Sequence, residues 1–411
     1  MLLQHYRISK RRLAFLIVVI ISLTWSLVLY SRSILTSHQL PWYIHSHDPF
    51  TSNSTTYAWT THNQSLDDMI DFAEREMRAA LTDDYDERIP GSGLTRRDQV
   101  TSFRSLVACW TQQGSWQKRP GTPLPHFQDP LYGQCDRRWR HSDTARPAPL
   151  YHWQPQCALL SDTIQQKQWC DIVDRRHTLV VGDLVQYQLH DLLLDALRDG
   201  PTICYGELNC KEHTLCPRPK RSRLRYIRND LLSKTSRVDL AHGAPAANVI
   251  EWPFLARHPL ETFKIVLLNR SPVVDDDISF VQQLVIALAE IRRIQPDALI
   301  LYRSSFVGHP YCDEAKGPLL DSHPRQQSKD WKSRLPFGWS EYGRRNRLAQ
   351  AIVEAAGGVY LDMATSLDQR PDGHVGGKDC LRYCMPGPLD SMALLLYNVF
   401  LALGAPSLSV E

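Results

Sequence analysis

Thr178-Leu-Val-Val181-Gly182-Asp183, followed by Leu189, Leu192, Leu193 and Leu197 on one helical face, is the segment on which the fold turns. A short apolar run that ends in glycine and leads into an amphipathic helix reads as the start of a βαβ unit. A strand buried on both faces shows no polar alternation, so it appears as a continuous apolar run. The motif recurs outward from there. Thr202-Ile-Cys-Tyr205 reads as a further strand after the first helix. Lys264-Ile-Val-Leu-Leu268 precedes a helix with Val281, Leu284, Val285 and Leu288, and Ala298-Leu-Ile-Leu-Tyr302 follows it. A helix through Leu348, Ile352 and Val353 stops at Gly357-Gly358 before Val359-Tyr-Leu361, and a last helix covers Asp390 to Leu403. The alternation predicts an α/β fold with a parallel sheet covered on both faces. In such sheets ligands lie at the carboxyl ends of the strands. The decisive residues are therefore Gly182-Asp183-Leu184, Asn269-Arg270-Ser271-Pro272, Arg303-Ser304-Ser305, and the segment from Pro371 to Gly387.

The chain has 411 residues, 43% hydrophobic and 22% charged, a globular composition that excludes wholesale disorder. Its net charge of +3 comes from 47 basic and 44 acidic residues. Four of the basic residues, Arg7, Lys10, Arg11 and Arg12, lie in the first 12 positions, so the remainder carries −1 and offers no electrostatic case for a nucleic-acid partner. Leu13 to Tyr30 is an uncharged run of 18 residues, about the ~17–25 needed to cross a bilayer. The basic cluster on its amino-terminal side predicts a cytoplasmic tail (1–12), a transmembrane signal anchor (13–30) and a lumenal remainder, a single-pass type II arrangement. A cleaved signal peptide is the alternative, although no small-x-small cleavage site follows the run. A short span leans towards the thinner membranes of the endoplasmic reticulum or Golgi.

The polar residues 31–64 read as stem, with a stem helix capped by Ser65 extending the stem to 105 and the lumenal domain occupying 106–411. All ten cysteines (Cys109, Cys135, Cys157, Cys170, Cys204, Cys210, Cys216, Cys312, Cys380 and Cys384) lie in that domain and predict disulfides whose pairing the sequence leaves open. The alternative, zinc held by Cys204, Cys210, His213 and Cys216, lacks the paired Cys-x-x-Cys spacing of structural sites, so no metal or cofactor is expected. Sequons at Asn53 and Asn63 suit a lumenal body, whereas Asn269 sits at a strand end that should bury it.

From Leu106 to Cys170 the chain is rich in Cys, Trp, Pro and Tyr, a disulfide-stapled lead-in packed around aromatics. It contains Cys109, Gly114-Ser-Trp116, Cys135 and Tyr151-x-Trp153-x-Pro155-x-Cys157. Together with the Gly182-Asp183 turn and the closing Asp379-Cys-x-x-x-Cys384-x-Pro-Gly-Pro-x-Asp390 segment with Leu396-Tyr-Asn398, this resembles the PC-esterase family, which includes the plant trichome-birefringence-like polysaccharide O-acetyltransferases. The resemblance spans about residues 106–403. It implies an SGNH-hydrolase-like three-layer α/β sandwich and acyl transfer to a sugar hydroxyl by a Gly-Asp-Ser nucleophile and an Asp-x-x-His pair.

Both decisive positions differ from that pattern. The nucleophile position is Leu184, which has no heteroatom, and the base position is Arg382, which stays protonated. Asp379 is then expected to form an ion pair with Arg382. His374 matches an Asp-Gly-His element and is the one candidate base left near Asp379, though a loop-organising hydrogen bonder reads better. Ser304 and Ser305 read as caps or turn residues, His190 as packed in the first helix, and His309 as part of a loop lining the cleft. Asp275-Asp-Asp277 reads as helix capping. Gly182, Asp183, Asn269, Arg270 and Arg303 are the expected substrate-side residues. The sequence thus predicts a degenerate member that binds glycan or assists an active family partner, with an active O-acetyltransferase using a rearranged site as the alternative.

Overall fold

The structure, a computed structural model, describes residues 65–118, 135, 146–197, 212–234, 237–239, 249–271, 276–305, 308–309, 312–319, 342–376 and 379–404. The expected tail, span and stem up to residue 64, with the Asn53 and Asn63 sequons, and Cys204, Cys210 and the run at 202–205 lie outside the described residues. Among the described residues, no helix is long and apolar enough to cross a membrane.

In chain order the described elements are α1 (Leu66–Ala80), α2 (Arg97–Gln112), β1 (Gly114–Lys118), β2 (Tyr151–Pro155), α3 (Gln166–Val173), β3 (His177–Gly182), α4 (Leu184–Leu197), β4 (Glu212–Thr214), β5 (Arg223–Arg228), β6 (Arg237–Asp239), β7 (Val249–Glu251), α5 (Arg257–Thr262), β8 (Phe263–Leu268), α6 (Asp277–Ile294), β9 (Leu299–Arg303), α7 (Tyr342–Ala355), β10 (Val359–Leu361), α8 (Ala364–Leu367), β11 (His374–Gly376), β12 (Asp379–Tyr383) and α9 (Pro388–Gly404). The central sheet runs β10-β9-β8-β3-β5-β4; all neighbours are parallel except the antiparallel edge strand β4. Four of its strands are the apolar runs that the sequence marks. β5, Arg-Leu-Arg-Tyr-Ile-Arg, is not among them, because Arg223, Arg225 and Arg228 break up its apolar content.

Alternation along each strand divides the core in two. Val180, Leu224, Tyr226, Ile265, Leu267, Leu299 and Leu301 face a cluster with Leu189, Leu193, Trp169, Leu396 and Phe400. Leu179, Val181, Val266, Leu268, Ile300 and Tyr302 face a second cluster with Val281, Leu284, Leu288, Leu348 and Ile352. Period-two alternation makes this division unavoidable once both faces carry helices.

Ser65 caps α1 by accepting from the Asp68 amide at 3.1 Å, as its position before two acids predicts. The assignment of this helix to a stem is corrected. Met69, Ala73 and Met77 are at most 2% exposed and belong to the second cluster, beside α6 and α7. The body therefore begins no later than Leu66. Likewise α2 places Val100, Phe103, Val107 and Trp110 in the first cluster, a helical spacing that the cysteine- and tryptophan-rich lead-in obscures.

The lead-in is stapled as expected. Cys109–Cys157, Cys135–Cys384, Cys170–Cys216 and Cys312–Cys380 are bonded, and no described cysteine is free. The Cys170 bond excludes Cys216 as a zinc ligand. β1 and β2 pair Trp116 opposite Trp153, ring centroids 5.7 Å apart, and their indole N–H groups donate to Ser366 O at 2.8 Å and Trp110 O at 2.8 Å. Trp110 donates in turn to Ala158 O at 3.0 Å, so these three indoles are each satisfied.

If α1 is part of the body, Met77→Ala lowers unfolding stability by about 2–5 kcal/mol through the cavity it leaves. The readout is the denaturant midpoint at constant slope; no shift means a detached stem helix.

Candidate functional site

β3 has β8 on one side and β5 on the other, so the strand order reverses about it. This switch point opens a crevice at the carboxyl edge in open α/β sheets. Gly182, Asp183, Arg228–Asp230, Asn269 and Arg303–Ser305 all stand there. Gly182 is needed for close approach, since a Cβ at this point lies 3.0 Å from both the Asn269 Cβ and its carbonyl oxygen.

Asp183 caps α4 by accepting from the Gln186 amide at 2.8 Å, and the same oxygen accepts from Arg303 Nη2 at 2.8 Å. Arg303 is wholly buried. Its other nitrogens donate to Gln186 Oε1 at 2.7 Å and to Ser304 O at 2.9 Å. Burial pulls the Arg303 guanidinium below its usual range while Asp183 pulls the other way. Tyr226 OH donates at 3.1 Å to Gly182 O and at 2.9 Å to Asp183 O, so the strand that the sequence reading misses also fixes the turn. Asn269 Nδ2 donates to Arg303 O at 3.1 Å and to Ser305 Oγ at 3.3 Å, and its side chain is buried, as expected for a sequon inaccessible in the folded chain.

Arg270 is also fully buried. It donates to Leu231 O at 3.0 Å and Gln283 Oε1 at 2.8 Å and lies over the Phe280 ring at 4.4 Å. Arg270 and Arg303, expected on the substrate side, thus turn their donors inward. Arg228 and Asp230 form a second buried pair, bidentate at 2.6 and 3.0 Å, and burial pushes the Asp230 carboxyl up to about 6. Neither this pair nor Gln186 is marked by the sequence reading. The one available signal is the Leu224/Tyr226 alternation.

The two positions that depart from a nucleophile–base pattern are resolved as follows. Leu184 is the first residue of α4 and packs its alkyl chain against the first core cluster. Arg382 Nε donates to Asp379 Oδ2, while the Arg382 and Leu381 amides donate to Oδ1 at 3.1 and 3.4 Å. Asp379 is thereby an ion-paired turn carboxylate with no ring nitrogen among its described partners.

The hairpin β11–β12 that carries Asp379 is anchored to α4, where Gln188 Oε1 accepts from the Tyr383 amide at 3.0 Å and Nε2 donates to Tyr383 O. His374 and His309 meet in a buried contact and do not line an open cleft: His309 Nδ1 lies 2.7 Å from His374 Nε2. Ser304 Oγ accepts from the Ala364 amide at 2.8 Å and Ser305 Oγ donates to Arg270 O at 2.6 Å, tertiary contacts in place of the local caps or turns expected of them. Asp276 caps α6 through Ser279, and Asp277 pairs with Arg344 and Arg345. No group of three or more metal-ligating side chains is present among the described residues. His190 is fully buried beside Tyr187, Tyr226 and His213, and burial holds its imidazole down at about 3.

No family model matches the chain, and no curated protein matches it.

Arg303→Met leaves Asp183 buried without its cation and is expected to cost about 3–5 kcal/mol of stability. A change near zero in chemical denaturation overturns the ion-pair reading. For His190, the neutral ring is favoured in the folded chain, so its contribution is complete above the unfolded value of about 6.5. It is lost as pH falls towards 3, by up to about 1.4 kcal/mol per pH unit. His190→Leu is expected to flatten the stability profile between about pH 6.5 and pH 4; an unchanged slope contradicts it.

Proposed function

We propose that this chain is a membrane-anchored, lumen-facing relative of the polysaccharide O-acetyltransferases, with an SGNH-hydrolase-like body, in the endoplasmic reticulum or Golgi. In this reading its acyl-transfer centre has become structural, and it serves glycan modification by binding glycan or assisting an active family partner. The observation that carries the reading is the pairing of two carboxylates with guanidinium groups: Asp183, expected on the substrate side, and Asp379, the expected catalytic carboxylate. Asp183 is held by Arg303 beside an alkyl side chain at position 184, and Asp379 is held by Arg382. Acyl transfer through a covalent intermediate needs a hydroxyl or thiol nucleophile and a base with a free lone pair. Leu184 has no heteroatom, and a guanidinium paired with a carboxylate accepts no proton.

The other reading, transfer of acetyl groups by a rearranged site, draws on His374 as base. Its Nε2 faces His309 and its Nδ1 faces Arg382 O at 3.1 Å, so neither nitrogen is free to take a proton from a substrate hydroxyl in this arrangement.

The test uses the full chain in detergent, with aryl-acetate hydrolysis, acetyl transfer to oligosaccharides, and oligosaccharide titration measured side by side. The expected result is turnover no faster than buffer together with saturable glycan binding. Acetyl transfer at enzymatic rates by the unchanged chain sinks the reading. The Leu184→Ser/Arg382→His double variant measures how far the site has drifted: an acyl-enzyme adduct means that two residues separate it from activity.

A further inference from the structure

The contact between His309 and His374 carries a proton count. At the outer ends, His309 Nε2 lies 2.8 Å from Asp368 O and His374 Nδ1 lies 3.1 Å from Arg382 O. A carbonyl oxygen only accepts, so both outer nitrogens must carry hydrogen. The inner nitrogens, 2.7 Å apart, need one more proton between them. Two neutral imidazoles hold two N–H groups, and this arrangement needs three. Satisfying all three contacts at once thus calls for one imidazolium charge, in a site where the two residues are 5% and 2% exposed.

We propose that His309 and His374 act as one proton-sharing latch that ties the segment after β9 to the β11–β12 hairpin at low pH and loosens it as the pH rises. The charged groups facing it are consistent with one cation. Among the described residues, Asp368 Oδ1 lies 3.9 Å from His309 Nε2 and accepts from Tyr342 OH, at the start of α7, at 3.5 Å. From β12, the Tyr383 ring stands 4.4 Å from His374, and Asp379 and Arg382 neutralise each other. Before β11, Arg370 and Asp372 do the same. Loss of the shared proton sets two lone pairs against each other, or turns one towards a carbonyl. Cys312–Cys380 and the His309 amide bond to Cys380 O at 3.0 Å keep the partners within reach, so loosening is local and reversible. Three hydrogen bonds favour the charged form and burial opposes it; the latch requires that the hydrogen bonds prevail, so that the contribution is complete below the unfolded value of about 6.5 and is lost as pH rises through a higher folded value. The sign is opposite to that of His190.

The test is hydrogen exchange at the imidazole C2 position of the full chain, read peptide by peptide by mass spectrometry between about pH 5 and pH 9. It needs no variant. One of the two rings is expected to titrate above the unperturbed value of about 6.5. Two rings that stay neutral down to pH 5 overturn the proposal. In a second arm, the loss of melting temperature caused by His309→Gln or His374→Gln is expected to shrink as pH rises; a loss equal at every pH means a purely structural contact and also overturns it.

Discussion

A guanidinium with none of its surface exposed sets the terms at the carboxyl edge of this sheet. Arg303 ends β9, the strand beside β8, and its charge has no access to water. Removing such a charge from water costs several kcal/mol unless partners meet it at close range. Asp183, Gln186 and the Ser304 carbonyl are those partners, and they come from the turn after β3, the first turn of α4 and the neighbouring residue. One carboxylate thus starts α4 and neutralises Arg303, while the backbone carbonyls of Gly182 and Asp183 accept from Tyr226 OH of β5. The turn at the head of α4 is thus tied to β9 and to β5.

The same solution appears at the hairpin. Asp379 accepts from two backbone amides and from Arg382, so this carboxylate organises its own turn. Gln188 links this hairpin to the middle of α4 through the backbone of Tyr383, and Cys380 and Cys384 fasten it to Cys312 and Cys135. The edge of the sheet and the hairpin form one rigid polar unit whose donors and acceptors are largely spent on each other.

How much of this was legible in the sequence depended on whether the signal was local. Apolar runs such as Lys264–Leu268 and Ala298–Tyr302 disclose buried strands because both faces demand hydrocarbon, and Ser65 and Asp276 disclose helix starts because capping is a contact over three residues. β5 escaped because its arginines hide the alternation of Leu224 and Tyr226. The burial of α1 escaped because Met69, Ala73 and Met77 look the same on a stem helix as on a core helix. At the site, the substitutions Leu184 and Arg382 were visible as letters, and the Asp379 ion pair followed from proximity along the chain. Arg303 against Asp183, 120 residues apart, and His309 against His374, 65 apart, were not, since tertiary contact alone joins them.

The span of the Cys135–Cys384 bond bears on how the molecule is made. Its cysteines are 249 residues apart. Chains emerge amino-terminus first, at about 5–20 residues per second. Cys135 is therefore made well before its partner exists, while Cys157, Cys170 and Cys216 follow it. It must either wait as a thiol or form a temporary bond that is later exchanged. Correct closure must therefore wait until the 249 positions that separate the two cysteines have been made, so the order of bond formation cannot simply follow the order of synthesis.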